Sequence, residues 1–179
     1  MNLYNKQQEI CKDIKNTAKA LNLSKPSIIT NPKNPDMLVE KDLLGLDLSD
    51  IADKNIIKQL SADLVVFNDY AFRYYTLQFI DCYFLSYKYL FLELFIPAYK
   101  KTDKLLTKDS HRFAQFESDE ANIIINFFQY LQDEIEVLRK MFEKKDLDNT
   151  SEYHYLDLLD CEQNIQEILY FWKEHINLK

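Results

Sequence analysis

A single glycine, Gly45, in 179 residues is the feature that most limits what this chain can fold into. Tight hairpins place residues at positive φ, which glycine adopts without steric cost. A many-stranded fold needs such turns repeatedly, and this chain has almost nothing with which to make them. Helices joined by polar turns are the architecture that remains. The shortage also excludes chemistry. A phosphate-cradling P-loop and a G-x-G-x-x-G turn each need clustered glycines so that backbone can approach the ligand, and a G-x-S-x-G nucleophile elbow fails for the same reason.

Residues 63–99 organise the rest. This stretch carries thirteen aromatic residues (Phe67, Tyr70, Phe72, Tyr74, Tyr75, Phe79, Tyr83, Phe84, Tyr87, Tyr89, Phe91, Phe95 and Tyr99), just over half of those in the protein. Asp63 and Asn68 are suited to cap helices, and residues 69–95 contain neither Gly nor Pro. One long helix, or two joined near Thr76, is expected there. Apolar residues lie on all its sides, which marks a central helix that others must cover. Its tyrosine hydroxyls need partners, for which the segment offers Arg73, Asp81, Lys88 and Glu93. Lys88, Glu93 and Pro97 interrupt its densest apolar window, whereas a membrane span needs about 20 predominantly apolar residues.

The covering helices are legible by spacing. Leu3, Ile10, Ile14, Ala18 and Leu21 mark a buried face near the N-terminus. Residues 24–36, with Pro26, Pro32 and Pro35, read as a loop or extended arm. Residues 37–60 break into short pieces, with Asp53 a cap for a turn or two. Residues 100–112 form the one basic patch, with Lys100, Lys101, Lys104, Lys108, His111 and Arg112. Ser118, followed by Asp119 and Glu120, is expected to cap a helix over 118–144. Its buried stripe would be Ile124, Phe127, Phe128, Leu131, Ile135, Leu138 and Phe142. A final helix over 150–176 would bury Tyr155, Leu158, Ile165, Leu169, Trp172 and Ile176. The short turn between these two makes them antiparallel neighbours on the aromatic segment. The expected fold is therefore all-α, a single domain over residues 1–179: an irregular helical bundle around a central aromatic-rich helix.

At this length the chain can bury roughly 70% of its unfolded surface without a metal or disulfide. Cys11, Cys82 and Cys161 are odd in number and never in C-x-x-C, which fits reducing cytoplasm better than a disulfide framework. The first ten residues lack the charged head and apolar core of a signal peptide, so a cytoplasmic protein is expected.

Candidate reactive groups fail on spacing. His154, Asp157 and Cys161 would share one side of the last helix, but no Glu precedes His111, His154 or His175 by three residues, and no H-E-x-x-H occurs. They read as a surface His and Asp beside a core Cys. Ser110 beside His111 has no orienting partner. The carboxylates Asp133, Glu134, Glu136, Asp157, Asp160 and Glu162 read as a solvated face rather than an acid–base pair. No cofactor, metal or catalytic residue is expected.

Charge is the one functional signal. The formal net charge is -7, and residues 111–179 hold fifteen acids against seven Lys or Arg. That field repels nucleic acid and attracts a basic protein. The expected partner-binding residues are Asp133, Glu134, Glu136, Asp146, Asp148, Asp157, Asp160 and Glu162. An alternative is a small-molecule pocket or enzyme site lined by tyrosines between Tyr70 and Tyr89.

The run Asp69-Tyr70-Ala71-Phe72-Arg73-Tyr74-Tyr75, with Leu64 and Phe67 before it and Leu77 and Phe79 after, resembles a motif in a family of small bacterial helical proteins of unknown function. That family similarly resumes with an Arg-Phe pair and a helix like residues 120–131, and closes on an aromatic pair like Phe171-Trp172. It usually has Leu-Pro-Ala where this chain has Thr76-Leu77-Gln78. The resemblance implies a helical fold and brings no catalytic residue. In general character the chain is also similar to immunity proteins of bacterial contact-dependent inhibition. That likeness implies a non-enzymatic protein that neutralises a basic toxin domain, such as a nuclease, by direct binding.

Overall fold

The computed structural model describes residues 2–30, 67–84, 95 and 112–177, with side chains as far as residue 174. These residues form five α-helices: α1 (Leu3–Ala20), α2 (Asp69–Cys82), α3 (Ser118–Glu143), α4 (Asn149–Asp160) and α5 (Glu162–Asn177). One isolated antiparallel bridge, Thr30 to Phe67, is the sole extended pairing among the described residues. The fold is all-α, as the glycine shortage requires. No helix among the described residues is long and apolar enough to cross a membrane. The expected pieces within 37–60, the Asp53 and Asp63 caps, Lys88, Glu93, Pro97 and the basic residues 100–111 lie outside the described residues.

The ends of α1 and α3 show how the chain turns without glycine, and side-chain caps open three of the helices. Asn2, Asn68 and Asp148 cap α1, α2 and α4, their side chains accepting from the amides of Tyr4, Ala71 and Ser151. At the C-terminus of α1, Asn22 takes φ 49°. Its amide donates to the Lys19 carbonyl and that of Leu23 to Ala18, the pairing of a Schellman turn. The same turn ends α3, where Lys145 sits at φ 57° and the amides of Lys145 and Asp146 reach Phe142 and Met141. Asparagine tolerates this region, but a lysine Cβ is crowded there. Lys145→Gly is therefore expected to raise stability by about 1 kcal/mol in urea unfolding.

α3 packs against all four other described helices. Of its expected stripe Ile124, Phe127, Phe128, Leu131 and Ile135 are buried, with Ala121 a turn earlier, but Leu138 is only partly buried and Phe142 is exposed beside the Tyr155 ring at 5.3 Å. α2 is the aromatic helix of the sequence, with eight of its fourteen residues buried. The rings just past its end meet those of α3 edge to face: Tyr83, its C-cap, and Phe84 lie 5.3 and 5.7 Å from Phe127. Such pairs add about 0.5–1.5 kcal/mol each beyond burial.

The expected last helix is two. Cys161 breaks it, its amide turning back to the Leu158 carbonyl while its own carbonyl accepts from Ile165, so α5 starts a new hydrogen-bonded run. α5 lies antiparallel to α3: its first residue, Glu162, meets Arg139 late in α3, while Trp172 meets Phe116 just before α3 begins. Trp172 is fully buried among Phe113, Phe116 and Phe171, and its indole donates to the Phe95 carbonyl at 2.7 Å.

The arm after α1 is non-helical over its described part and ends in the Thr30 bridge to Phe67; Pro32 and Pro35 lie outside the described residues. It is tied to the start of α2: the Tyr70 hydroxyl donates to the Ser24 carbonyl at 2.8 Å and accepts from the Ser24 amide, and the Asn68 amide donates to Ile29. Arg112, expected in a basic patch, is spent here. It pairs with Asp69, donates to the Phe67 carbonyl and lies over the Phe72 ring.

Candidate functional site

The eight expected partner-binding acids divide by what each touches. Glu134 leaves the set. It is buried on the stripe that Leu131 and Ile135 share, where its carboxylate accepts from the Tyr83 hydroxyl at 2.7 Å and faces His154 Nε2 at 3.4 Å. A carboxylate so placed ties α2, α3 and α4 together and presents nothing to a partner. His154 goes with it. Its side chain is only 11% exposed, so it is not the surface histidine its position implied. Burial, then the Glu134 charge and hydrogen bond, hold the Tyr83 hydroxyl well above its ordinary range.

Three acids are occupied at the surface. Asp133 pairs with Lys6 of α1, and Arg139 bridges Glu136 within α3 to Glu162 of α5. Asp148 is exposed but holds the first turn of α4, and its hydrogen bonds from Ser151 keep its carboxyl below the usual range. Asp146, Asp157 and Asp160 are exposed. The acidity therefore lies on α4, α5 and the turn before them: residues 146–174 carry eight acids (Asp146, Asp148, Glu152, Asp157, Asp160, Glu162, Glu167 and Glu174) and one lysine, Lys173.

Large apolar side chains stand among these acids. Tyr153 and Leu156 on α4 are 72% and 42% exposed, and Tyr170 on α5 is 71% exposed. The signal for them was present in the sequence. Once Tyr155 and Leu158 fix the buried side of α4, residues 153 and 156 fall away from it at 100° per residue.

The second buried carboxylate is structural as well. Glu120 is wholly buried and takes two-pronged hydrogen bonds from Arg73, Nε to Oε1 at 2.8 Å and Nη2 to Oε2 at 2.6 Å. It also accepts from the Glu117 amide at 2.7 Å, so Glu117 rather than Ser118 is the N-cap of α3. Arg73, the cation within the tyrosine run, is thus the clamp between α2 and α3.

Two of the three thiols, Cys11 and Cys82, are muted. Burial foremost, with Asp81 nearby, pushes Cys82 up to about 12 and Cys11 up to about 11 from an ordinary 9.0. Both are raised in the folded state, so their contribution to stability is complete below pH 9 and is lost as pH climbs toward about 11 for Cys11 and about 12 for Cys82. A urea-unfolding series across this range is expected to lose up to about 1.4 kcal/mol per pH unit as the buried Cys82 titrates only in the unfolded chain, and less from the half-exposed Cys11. Cys82→Ala is expected to flatten the slope.

Of the tyrosines that could line a pocket, Tyr75 and Tyr83 are buried against other rings. Tyr75 meets Phe67 at 5.7 Å, and Tyr70 is committed to the Ser24 backbone. Tyr87 and Tyr89 lie outside the described residues. Among the described residues no group of three or more His, Cys, Asp or Glu could hold a metal ion; Asp157 and Cys161 do not gather round His154. Compared with protein-family models, with curated proteins and with solved structures, the chain finds no match.

Proposed function

We propose that this chain is a non-enzymatic binding protein of the immunity type, which works in the bacterial cytoplasm by covering a basic toxin domain with its C-terminal acidic surface. The observation that carries the reading is the segregation of charge: eight acids against one lysine over residues 146–174. The other carboxylates that could do chemistry, Glu120 and Glu134, are instead tied into the helix packing. Surface acids of this density steer a cationic partner and speed its docking more than they fix its identity. The likeness in character to contact-dependent inhibition immunity proteins supports the same reading.

The test uses the purified C-terminal domain encoded by the reading frame directly upstream, titrated calorimetrically with this protein. Binding is expected, weakening at least about tenfold between about 50 and about 300 mM salt as the attraction is screened. Absence of binding, or an affinity indifferent to salt, contradicts the reading.

A further inference from the structure

The exposed side of α4 repeats the pattern of a helix that expects a partner. Tyr153, Leu156, Asp157 and Asp160 stand at i, i+3, i+4 and i+7, and all four are exposed. Tyr155 and Leu158, on the other side, are buried against the core. A twelve-residue helix thus carries two apolar stripes, one used by the fold and one left to solvent. Leaving Tyr153 and Leu156 in water forgoes burial that α4, a marginal length for a helix, would otherwise gain. α4 is nevertheless held firmly, by Asp148 at its cap, by Phe142 against Tyr155, and by His154 in the buried Glu134 and Tyr83 cluster. The outer stripe is therefore presented on a fixed element.

Resting on the proposed toxin-binding function, we infer that α4 is the recognition helix. It lies in an apolar groove of a basic protein domain, Tyr153 and Leu156 fill pockets in that groove, and Asp157 and Asp160 face Lys or Arg on its rim. This is the helix-in-groove mode, in which anchors at helical spacing supply affinity and flanking charges supply orientation. Charge selects the occupant. The stripe is apolar at 153 and 156 and acidic at 157 and 160, and residues 149–160 contain no Lys or Arg. A second copy of α4 would bring like charges together. A ring with a hydroxyl at one end suits such a groove, since it buries area at low entropic cost.

The experiment measures binding of the same upstream-encoded domain by surface plasmon resonance, with circular dichroism and thermal unfolding on every variant. Tyr153→Ala and Leu156→Ala are each expected to weaken binding about tenfold or more through faster dissociation. Asp157→Asn with Asp160→Asn is expected to slow association, most clearly at low salt. Tyr4→Ala, comparably exposed but on α1, is expected to bind as the parent does. If Tyr153→Ala and Leu156→Ala bind normally while the aspartate pair weakens binding, the recognition helix is overturned and the toxin-binding function stands. Self-association abolished by Tyr153→Ala assigns the face to a second copy and also overturns the proposal. If the unmodified protein does not bind at all, the underlying function falls and this inference with it.

Discussion

Glu120→Ala is expected to lower the unfolding free energy by about 3 kcal/mol, because it leaves the partly buried Arg73 guanidinium without its partner. Both Arg73 prongs end on Glu120, and the same carboxylate caps the Glu117 amide, so one truncation removes the clamp between α2 and α3 and an N-terminal bond of α3. In a chain of this length the loss corresponds to a melting point lower by roughly 10 °C. Glu120→Gln separates the contributions. It keeps an acceptor for the Glu117 amide and loses the charge, so it should be destabilised less than the alanine variant. Replacing both partners by apolar residues of similar volume, Arg73→Met with Glu120→Leu, is expected to recover most of the stability. Such a recovery would mean that the ion pair specifies how α2 and α3 meet more than it adds to stability.

Trp172→Ala should cost as much or more, about 3–5 kcal/mol, for a different reason. The indole is completely buried where Phe113, Phe116 and Phe171 converge, so its removal leaves a cavity that rigid aromatic neighbours fill poorly. It also deprives the Phe95 carbonyl of its donor. Trp172→Phe keeps a ring and loses the N–H, and is expected to cost about 1–3 kcal/mol. Denaturant unfolding of the two variants apportions the loss between packing and hydrogen bonding.

Much of this architecture is written in residue spacing. The stripe of α3 and the buried positions Ile10 and Ile14 of α1 follow from a period of 3.6, and the Asn68 cap from its residue type. What spacing hides is which polar residues the core takes in. Glu120 reads as an acid suited to the helix dipole, and it becomes a core residue only because Arg73 arrives from a segment 47 positions earlier. Glu134 reads as one of an acidic run with Asp133 and Glu136, although it follows Leu131 by three residues and so shares the buried stripe. Spacing puts Glu134 on the core side, but the partners that satisfy both carboxylates, Arg73 for Glu120 and Tyr83 with His154 for Glu134, come from other segments, of which local sequence carries no sign. The tyrosine hydroxyls make the same point: Tyr83 finds Glu134 on another helix, and Tyr70 finds the backbone at Ser24. The break at Cys161 is likewise unmarked, since no Gly or Pro stands there. It arises where α4 must turn so that α5 can run back along α3.

These corrections concentrate the site. Glu134 moves inside, Asp133, Glu136 and Glu162 serve ion pairs, and the exposed remainder gathers on α4 and the turn before it with two apolar side chains beside it. The acids by themselves would give a field. In the proposed function, Tyr153 and Leu156 would give that field a place to bind.

Amide hydrogen exchange with and without the upstream-encoded basic domain tests this most directly. Added protection is expected along Asn149–Asp160, strongest in the amides around Tyr153 and Leu156, with α1 unchanged. Protection confined to α1 or to the arm at residues 24–30, with α4 exchanging as in the free protein, would contradict the account.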